Sequence, residues 1–459
     1  MSLIIPANTL ASGGFTVDNS CRFNSGSTDS LDRTPSSSGN GTTFTMSMWL
    51  KRSGLGGTHL IYKAKGSAQT EFTLAFNSDK LQVYQVNSGG AQEAAIKTLS
   101  VQRDISAWYH ACIQIQTADG TATDRCKIYI NGVQQTIDSS GTDAYSSSFN
   151  TGVNQASVKQ EIGGAASPYG GYMAEFVMID GSILAPTSFG EFDEDSGIWK
   201  PIDVSGLTFG TNGFYLDFED SSALGNDVSG NTNDFTANNL TSIDQATDTC
   251  TNNFATMNPL IPGQTNYTYS DGNTTISQSS AAWVKSNSTI GMSSGKWYWE
   301  VKYVSGNYIV ASVDNTDTAT PYGPTSTSAV SYKRNGDLEV ATVPQTALAS
   351  YAHGDIVSVA LDMDNSCVYF GKNGTWLNSG NPTSGASKTG AYSLPVANST
   401  YFATFSIYDG SGGYSSLNFG NPAYAISSSN TDGDGYGNFE YAVPSGYYAL
   451  NTKNLAEYG

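Results

Sequence analysis

The chain has 459 residues, of which 13% are charged, 12% are aromatic and 49 are glycine; at roughly 150 residues per domain, that length predicts two large or three ordinary domains. Forty acids against 21 bases give a formal charge of −19, which repels phosphate backbones and excludes a nucleic-acid binder. The sequence holds no run of about 18 apolar residues, so no membrane-spanning helix and no membrane insertion is expected.

The run Met1-Ser2-Leu3-Ile4-Ile5-Pro6 is short, and no base precedes Arg22, so no secretion leader is expected. Residues 1–14 read as an apolar attachment arm that docks on a partner subunit. Beyond them helical periodicity gives way to short alternating runs punctuated by Gly, Asn, Asp and Ser, the pattern of sandwich strands. Phe44–Leu50, Trp108–Ile115 and Lys127–Ile130 are predicted strands. Asn131-Gly132 closes a hairpin, because both residues accept the positive φ of a type I′ turn. Residues 15–204 form the first predicted sandwich. Residues 205–266 are an acidic, Asn- and Asp-rich connecting segment packed on the sandwiches, with a strand at Gly213–Phe218. Residues 267–422 form the second sandwich, with a further hairpin at Val368–Gly374. Residues 423–459 pack back on that sandwich or on a partner through Phe439–Pro444 and Tyr447–Leu450. The fold class is all-β, two jelly-roll sandwiches in tandem.

The chemistry-bearing residues are few. Cys21, Cys112, Cys126, Cys250 and Cys367 are odd in number and scattered, so they read as unpaired thiols of a reducing cytoplasm. His59, His110 and His353 share no metal-ligand spacing, and His110 reads as a packed, hydrogen-bonded strand residue. Trp49, Trp108, Trp297 and Trp299 lie in strand patterns and are predicted core. Tyr169 and Tyr172 around Gly170-Gly171, Tyr322 in Thr320-Pro321-Tyr322-Gly323-Pro324, and Tyr408 and Tyr414 around Gly410–Gly413 lie where nothing local demands burial. They are the candidate ligand contacts, since a tyrosine ring stacks on a sugar or a protein while its hydroxyl stays wet.

Several of these motifs carry a family resemblance. Phe44–Lys51, Ala107-Trp108-Tyr109-His110, Lys127–Gly132, Ile162-Gly163-Gly164 and Gly171-Tyr172-Met173-Ala174-Glu175-Phe176, in that order, resemble a laminin-G/concanavalin-A-like domain. Ser294–Val301, Gly354–Asp364, the Phe370…Gly374 hairpin and Leu417–Gly420 resemble a SPRY domain. Both families are curved two-sheet jelly rolls. Phe189–Pro201, Asn226–Asn231 and Pro444–Leu455 are similar to structural proteins of tailed phages, and that likeness covers nearly the whole chain.

The phage resemblance implies a virion protein made in the host cytoplasm: an appendage, tail-fibre or capsid-surface component. It implies contacts with other virion proteins and with further copies of itself. It also implies adhesion to a host-surface glycan or protein through sandwich loops, the SPRY rim loops 317–328 and 408–415 foremost. Two alternatives stand beside it, a purely architectural capsid-decoration or tail-assembly protein without a ligand and, remotely, a glycoside hydrolase. Glucanases of the concanavalin-like class carry E-x-D-x-x-E, whereas Glu191-Phe192-Asp193-Glu194-Asp195-Ser196 has Ser196 at the third position. That run reads as a solvated acidic loop and the protein as no enzyme. Laminin-G-like rims also hold calcium. The oxygens of Asp217, Asp220, Asp227, Asn231 and Asp234, in a stretch without Lys or Arg, are the candidate ligands.

Overall fold

The computed structural model describes residues 14–66, 70–139, 144–164, 166–278, 280–306, 308–409 and 412–459. The predicted attachment arm therefore lies, apart from Gly14, outside the described residues. The chain divides into two compact units that meet in sequence between Thr251 and Asn252.

The first unit packs an eight-stranded sheet on a seven-stranded one, with neighbouring strands antiparallel. Phe44, Met46, Met48 and Leu50 of the strand Thr43–Arg52 point into the core, where they meet Ile61, Phe72, Leu74 and Val83 of the other sheet. These alternate positions were the legible ones, because successive strand residues face opposite ways. The strand Gly171–Asp180 is buried along all ten of its residues, so it reads as an unbroken apolar run rather than an alternation. The reason is a third layer. Residues 186–213 fold over the outer face of the eight-stranded sheet, where Trp199, Phe189, Val204 and Phe209 cover Trp49, Trp108, Tyr172 and Val177, and Ala246 of the edge strand packs beside them.

The acidic segment read as a connection is built into this unit as far as Thr251. Phe214–Leu216 pairs with Gly171–Asp180, Thr236–Asn238 with Ser30–Arg33, and Gln245–Ala246 with Ser20–Phe23. The Lys51 ammonium fastens its end, meeting Asp248 at 2.5 Å with both side chains buried. The second Asp248 oxygen accepts the Trp108 indole N–H at 3.0 Å.

The second unit pairs a nine-stranded sheet with a six-stranded one. Trp297, Trp299 and Val301 of Lys296–Tyr303 pack inward against Ile309, Ala311, Val313 and Phe405. Tyr298 and Glu300 of the same strand face outward, under Phe439, Tyr447 and Ala449 of the C-terminal segment. Glu300 has no cation in its shell of partners; it accepts the backbone N–H of Glu440 and Tyr441, the Tyr298 hydroxyl and the Asn418 amide. Burial pushes its carboxyl pKa up, against those hydrogen bonds. Tyr448–Ala449 adds a parallel edge to Lys296–Tyr303, and the helix Thr452–Tyr458 follows.

Candidate ligand groove

The rim of the second unit gathers three aromatic rings. Tyr408 ends the strand Tyr401–Tyr408, Tyr322 opens the short 3₁₀ turn Gly323–Thr325, and Trp283 precedes the strand Ser286–Met292. Trp283 lies 4.3 Å from the Tyr408 ring centroid and 4.6 Å from that of Tyr322, with interplanar angles of 20° and 17°. Two rings that close and that parallel would collide on one face of an indole, so Trp283 lies between them. The stack is partly open to solvent, Trp283 being 38% exposed.

A buried ion pair fixes the loop that carries Tyr322. Lys285, two residues after Trp283, meets Asp314 at 2.6 Å with both side chains fully buried. The other Asp314 oxygen accepts the hydroxyls of Ser326 and Ser328 at 3.1 and 2.6 Å, so one carboxylate holds both ends of the 314–328 loop. Lys285 also donates its backbone N–H to Ala319 and its ammonium to the carbonyl and hydroxyl of Thr316. Burial lowers the Lys285 pKa, and the Asp314 charge opposes that shift. Gly323 has to be glycine for space, because a Cβ there would stand 2.6 Å from the Ser331 hydroxyl.

The stack forms one wall of a groove of about 880 Å³. Lys333, Arg334, Asn335, Asp337 and Ser350 line it too, and Pro324, Tyr351 and Asp409 complete it. The polar lining is internally compensated. Lys333 pairs with Glu339 at 2.6 Å, and the Asn335 amide donates to Asp337 at 2.8 Å. The groove thus combines an apolar aromatic surface with hydrogen-bonding groups, and its two bases, Lys333 and Arg334, are matched by two acids, Asp337 and Asp409.

The structure divides the five predicted contact tyrosines. Tyr322 and Tyr408 come together on the groove. Tyr414 is 41% exposed but is not among the residues lining it. Tyr169 and Tyr172 correct the expectation of exposure, both being 1% exposed. The Tyr169 hydroxyl donates to the Lys51 carbonyl at 3.0 Å, and the Lys51 ammonium lies over the Tyr172 ring. The core between the sheets buries Tyr169, edge-on to Phe23, and the covering layer buries Tyr172; nothing near Gly170-Gly171 in sequence announces either. Sequence reasoning missed Trp283, which sits in Ser280-Ala281-Ala282-Trp283 without any alternation; a bulky aromatic among small polar residues was the only signal.

The predicted calcium ligands are likewise corrected. Among the described residues no three His, Cys, Asp or Glu side chains gather into a group that could hold a metal. Asp227 spends its oxygens on the backbone N–H groups of Tyr215, Ser229 and Asn233. Asp234 accepts from the Asp227 N–H, Asp220 from Ser222, and Asp217 from Glu219. The Asn231 amide donates to the Gly210 and Gly213 carbonyls. These side chains organise turns, which is the other common use of Asp and Asn.

The acidic run at 191–196 is a tight hairpin end in which Asp193 and Glu191 both contact Lys200. His110 is fully buried between Trp49 and Trp199 and hydrogen-bonded to Ser47 at 2.8 Å. Desolvation lowers its pKa to about 3, so it is neutral at pH 7.

Residues 25–186 match the concanavalin A-like lectin/glucanase superfamily, in its laminin G form, and residues 296–421 match the SPRY domain. The chain carries a concanavalin-like domain followed by a SPRY domain. The tandem suggests a binding module. No curated protein matches the chain. Similar solved structures include the SPRY domain of human HERC1, at 19% identity over 31% of this chain and 87% of that one, with a TM-score of 0.26. A heptameric SAP-like pentraxin from Limulus polyphemus is similar at 16% identity over 37% and 78%, with a TM-score of 0.28.

Proposed function

We propose that this is a non-enzymatic binding protein that takes a saccharide chain through the rim groove of its SPRY domain. The observation that carries the reading is the Tyr322–Trp283–Tyr408 stack lining a groove whose remaining lining is largely polar and charge-balanced. At about 880 Å³ the groove falls within the ~300–1,000 Å³ of small-molecule sites, which combine an aromatic lining with a few placed polar groups. Aromatic faces take the apolar C–H face of a sugar, and Asn335, Asp337 and Ser350 stand where hydroxyls need partners. The Lys285–Asp314 clamp supports the same reading, because a loop fixed before binding loses little entropy on binding.

The finer reading is a surface adhesin of a tailed-phage particle, supported by the resemblance of residues 189–201, 226–231 and 444–455 to such proteins. Many copies on one particle would turn weak single contacts into stable adhesion. The test is a glycan array probed with multimerised protein, followed by calorimetry on the best saccharide. Saturable binding that falls at least about tenfold in Trp283→Ala supports the groove, on the usual weight of a central aromatic contact. Release of reducing sugar from the bound saccharide would overturn the non-enzymatic reading. Antibody labelling of purified phage particles, viewed by electron microscopy, tests the virion placement.

A further inference from the structure

The first unit carries an exposed feature that the groove does not use. Gly190–Phe192 and Trp199–Pro201 form an isolated two-stranded hairpin, with Phe192 opposite Trp199. Its root is fixed: Trp199 is 6% exposed, tilted on His110 at 5.7 Å, and packed so closely that a Cβ on Gly132 or Gly190 would stand 2.3 or 2.6 Å from its ring. Its tip is fixed as well. One Asp193 oxygen accepts the N–H groups of Asp195 and Ser196 and the Ser196 hydroxyl, and the other takes Lys200. Yet Phe192, on the Trp199 face and edge-on to that ring at 4.9 Å, is 50% exposed, and Ile198, on the other face, is 43% exposed: two large apolar side chains on a fixed hairpin. Glu191, Glu194 and Asp195 surround them as exposed acids, and the hairpin's single base, Lys200, is already engaged by Asp193 and Glu191.

Rigid apolar residues ringed by charge are the anatomy of a docking peg, since a preorganised projection is cheap to immobilise and its apolar centre supplies the contact energy. We infer that the hairpin Gly190–Pro201 docks into a partner protein that presents an apolar socket for Phe192 and Ile198 within a rim of Lys or Arg. Charge selects the partner. A second copy of this chain brings a further −19, and an anionic lipid surface repels the acidic tip.

The test uses the full chain on a biosensor with three synthetic helical peptides: an amphipathic Leu/Lys peptide, a Ser/Lys peptide of equal charge, and a Leu/Glu peptide. The Leu/Lys peptide is expected to bind best. The Phe192→Ser/Ile198→Ser variant should weaken it at least about tenfold, in keeping with the loss of two central apolar contacts. Glu194→Gln/Asp195→Asn should weaken it about threefold and flatten its salt dependence. Glu194→Gln/Asp195→Asn should melt with the parent, and Phe192→Ser/Ile198→Ser, which loses the Phe192 edge contact on Trp199, should melt slightly lower while staying folded at the assay temperature. Unchanged affinity in the Phe192/Ile198 variant, or equal binding of the Ser/Lys peptide, would overturn the inference. So would a concentration-dependent dimer in sedimentation that this variant abolishes, since the occupant would then be a second copy.

Discussion

Among the described residues each unit contains one fully buried lysine–aspartate pair, and the two pairs do different work. Lys51–Asp248 seals a covering layer: it ties the end of the acidic segment to the eight-stranded sheet beneath Trp108 and over Tyr172. Lys285–Asp314 holds a rim: its carboxylate grips Ser326 and Ser328, and its lysine the Thr316 and Ala319 side of the same loop. A buried ion pair is weak evidence of net stability, because desolvation offsets the attraction. What distinguishes these two is what else each partner holds. One closes a layer over Tyr172, and the other leaves Tyr322 displayed.

The largest expected effects come from breaking one partner of each pair. Asp248→Ala and Asp314→Ala each strand a buried ammonium and should cost about 3–5 kcal/mol of stability, read by urea denaturation. The comparison sharpens at the groove. Under conditions where both variants remain folded, Asp314→Ala should lose saccharide binding and Asp248→Ala should keep it. Equal loss in both would mean that the clamp does not position the rim.

A pH dependence of comparable size belongs to the layered side. Glu175 sits at a left-handed bulge (φ 51°) with its carboxyl 2.6 Å from the Tyr215 hydroxyl. Burial, reinforced by Asp217, Glu219 and Asp203, raises its pKa to about 8. The folded state therefore favours the neutral acid. The stability this contributes is present below the ordinary value of about 4.5 and drains away as pH rises towards 8, on the order of 5 kcal/mol in all. His110 has the opposite sign: its depressed pKa contributes stability above about 6.5 that is lost as pH falls towards 3. Urea midpoints of Glu175→Gln should therefore fall less between pH 5 and pH 8 than those of the parent. An identical decline would show that Glu175 ionises freely in the fold.

Smaller effects belong to the displayed side. Trp283→Ala removes two stacked contacts and should cost about 1–3 kcal/mol, at roughly 0.5–1.5 per aromatic pair, with a far greater effect on binding than on melting. Tyr414→Ala, exposed and off the groove, should change stability by less than about 0.5 kcal/mol and leave saccharide affinity unaltered, as calorimetry would show.

Much of the fold was legible because strands with one buried face write their geometry as alternation: Phe44-Thr45-Met46-Ser47-Met48 and Lys296-Trp297-Tyr298-Trp299 each declare an inward set. The layer over the first unit was not legible. Its residues, such as Trp199, Phe209 and Ala246, are single apolar positions in turn-rich sequence, and their burial comes from distant strands. For the same reason Tyr172 and Tyr322 look alike locally and end in opposite environments. Half of the candidate site was visible, in Tyr322 and Tyr408. Trp283 was not, because what assigns it a role is a stack with two rings far away in the chain. Asp227 illustrates the remaining ambiguity: an Asp in an Asn-rich stretch serves a cation or a turn, and only the backbone N–H groups around it decide which.

The most direct test of the central claim is calorimetric titration of one array-selected saccharide into the parent chain, Trp283→Ala and Asp248→Ala, all confirmed folded. Saturable binding in the parent and in Asp248→Ala, with at least about a tenfold loss in Trp283→Ala, is the predicted result. Undiminished binding by Trp283→Ala would contradict the account and move the site away from the SPRY rim.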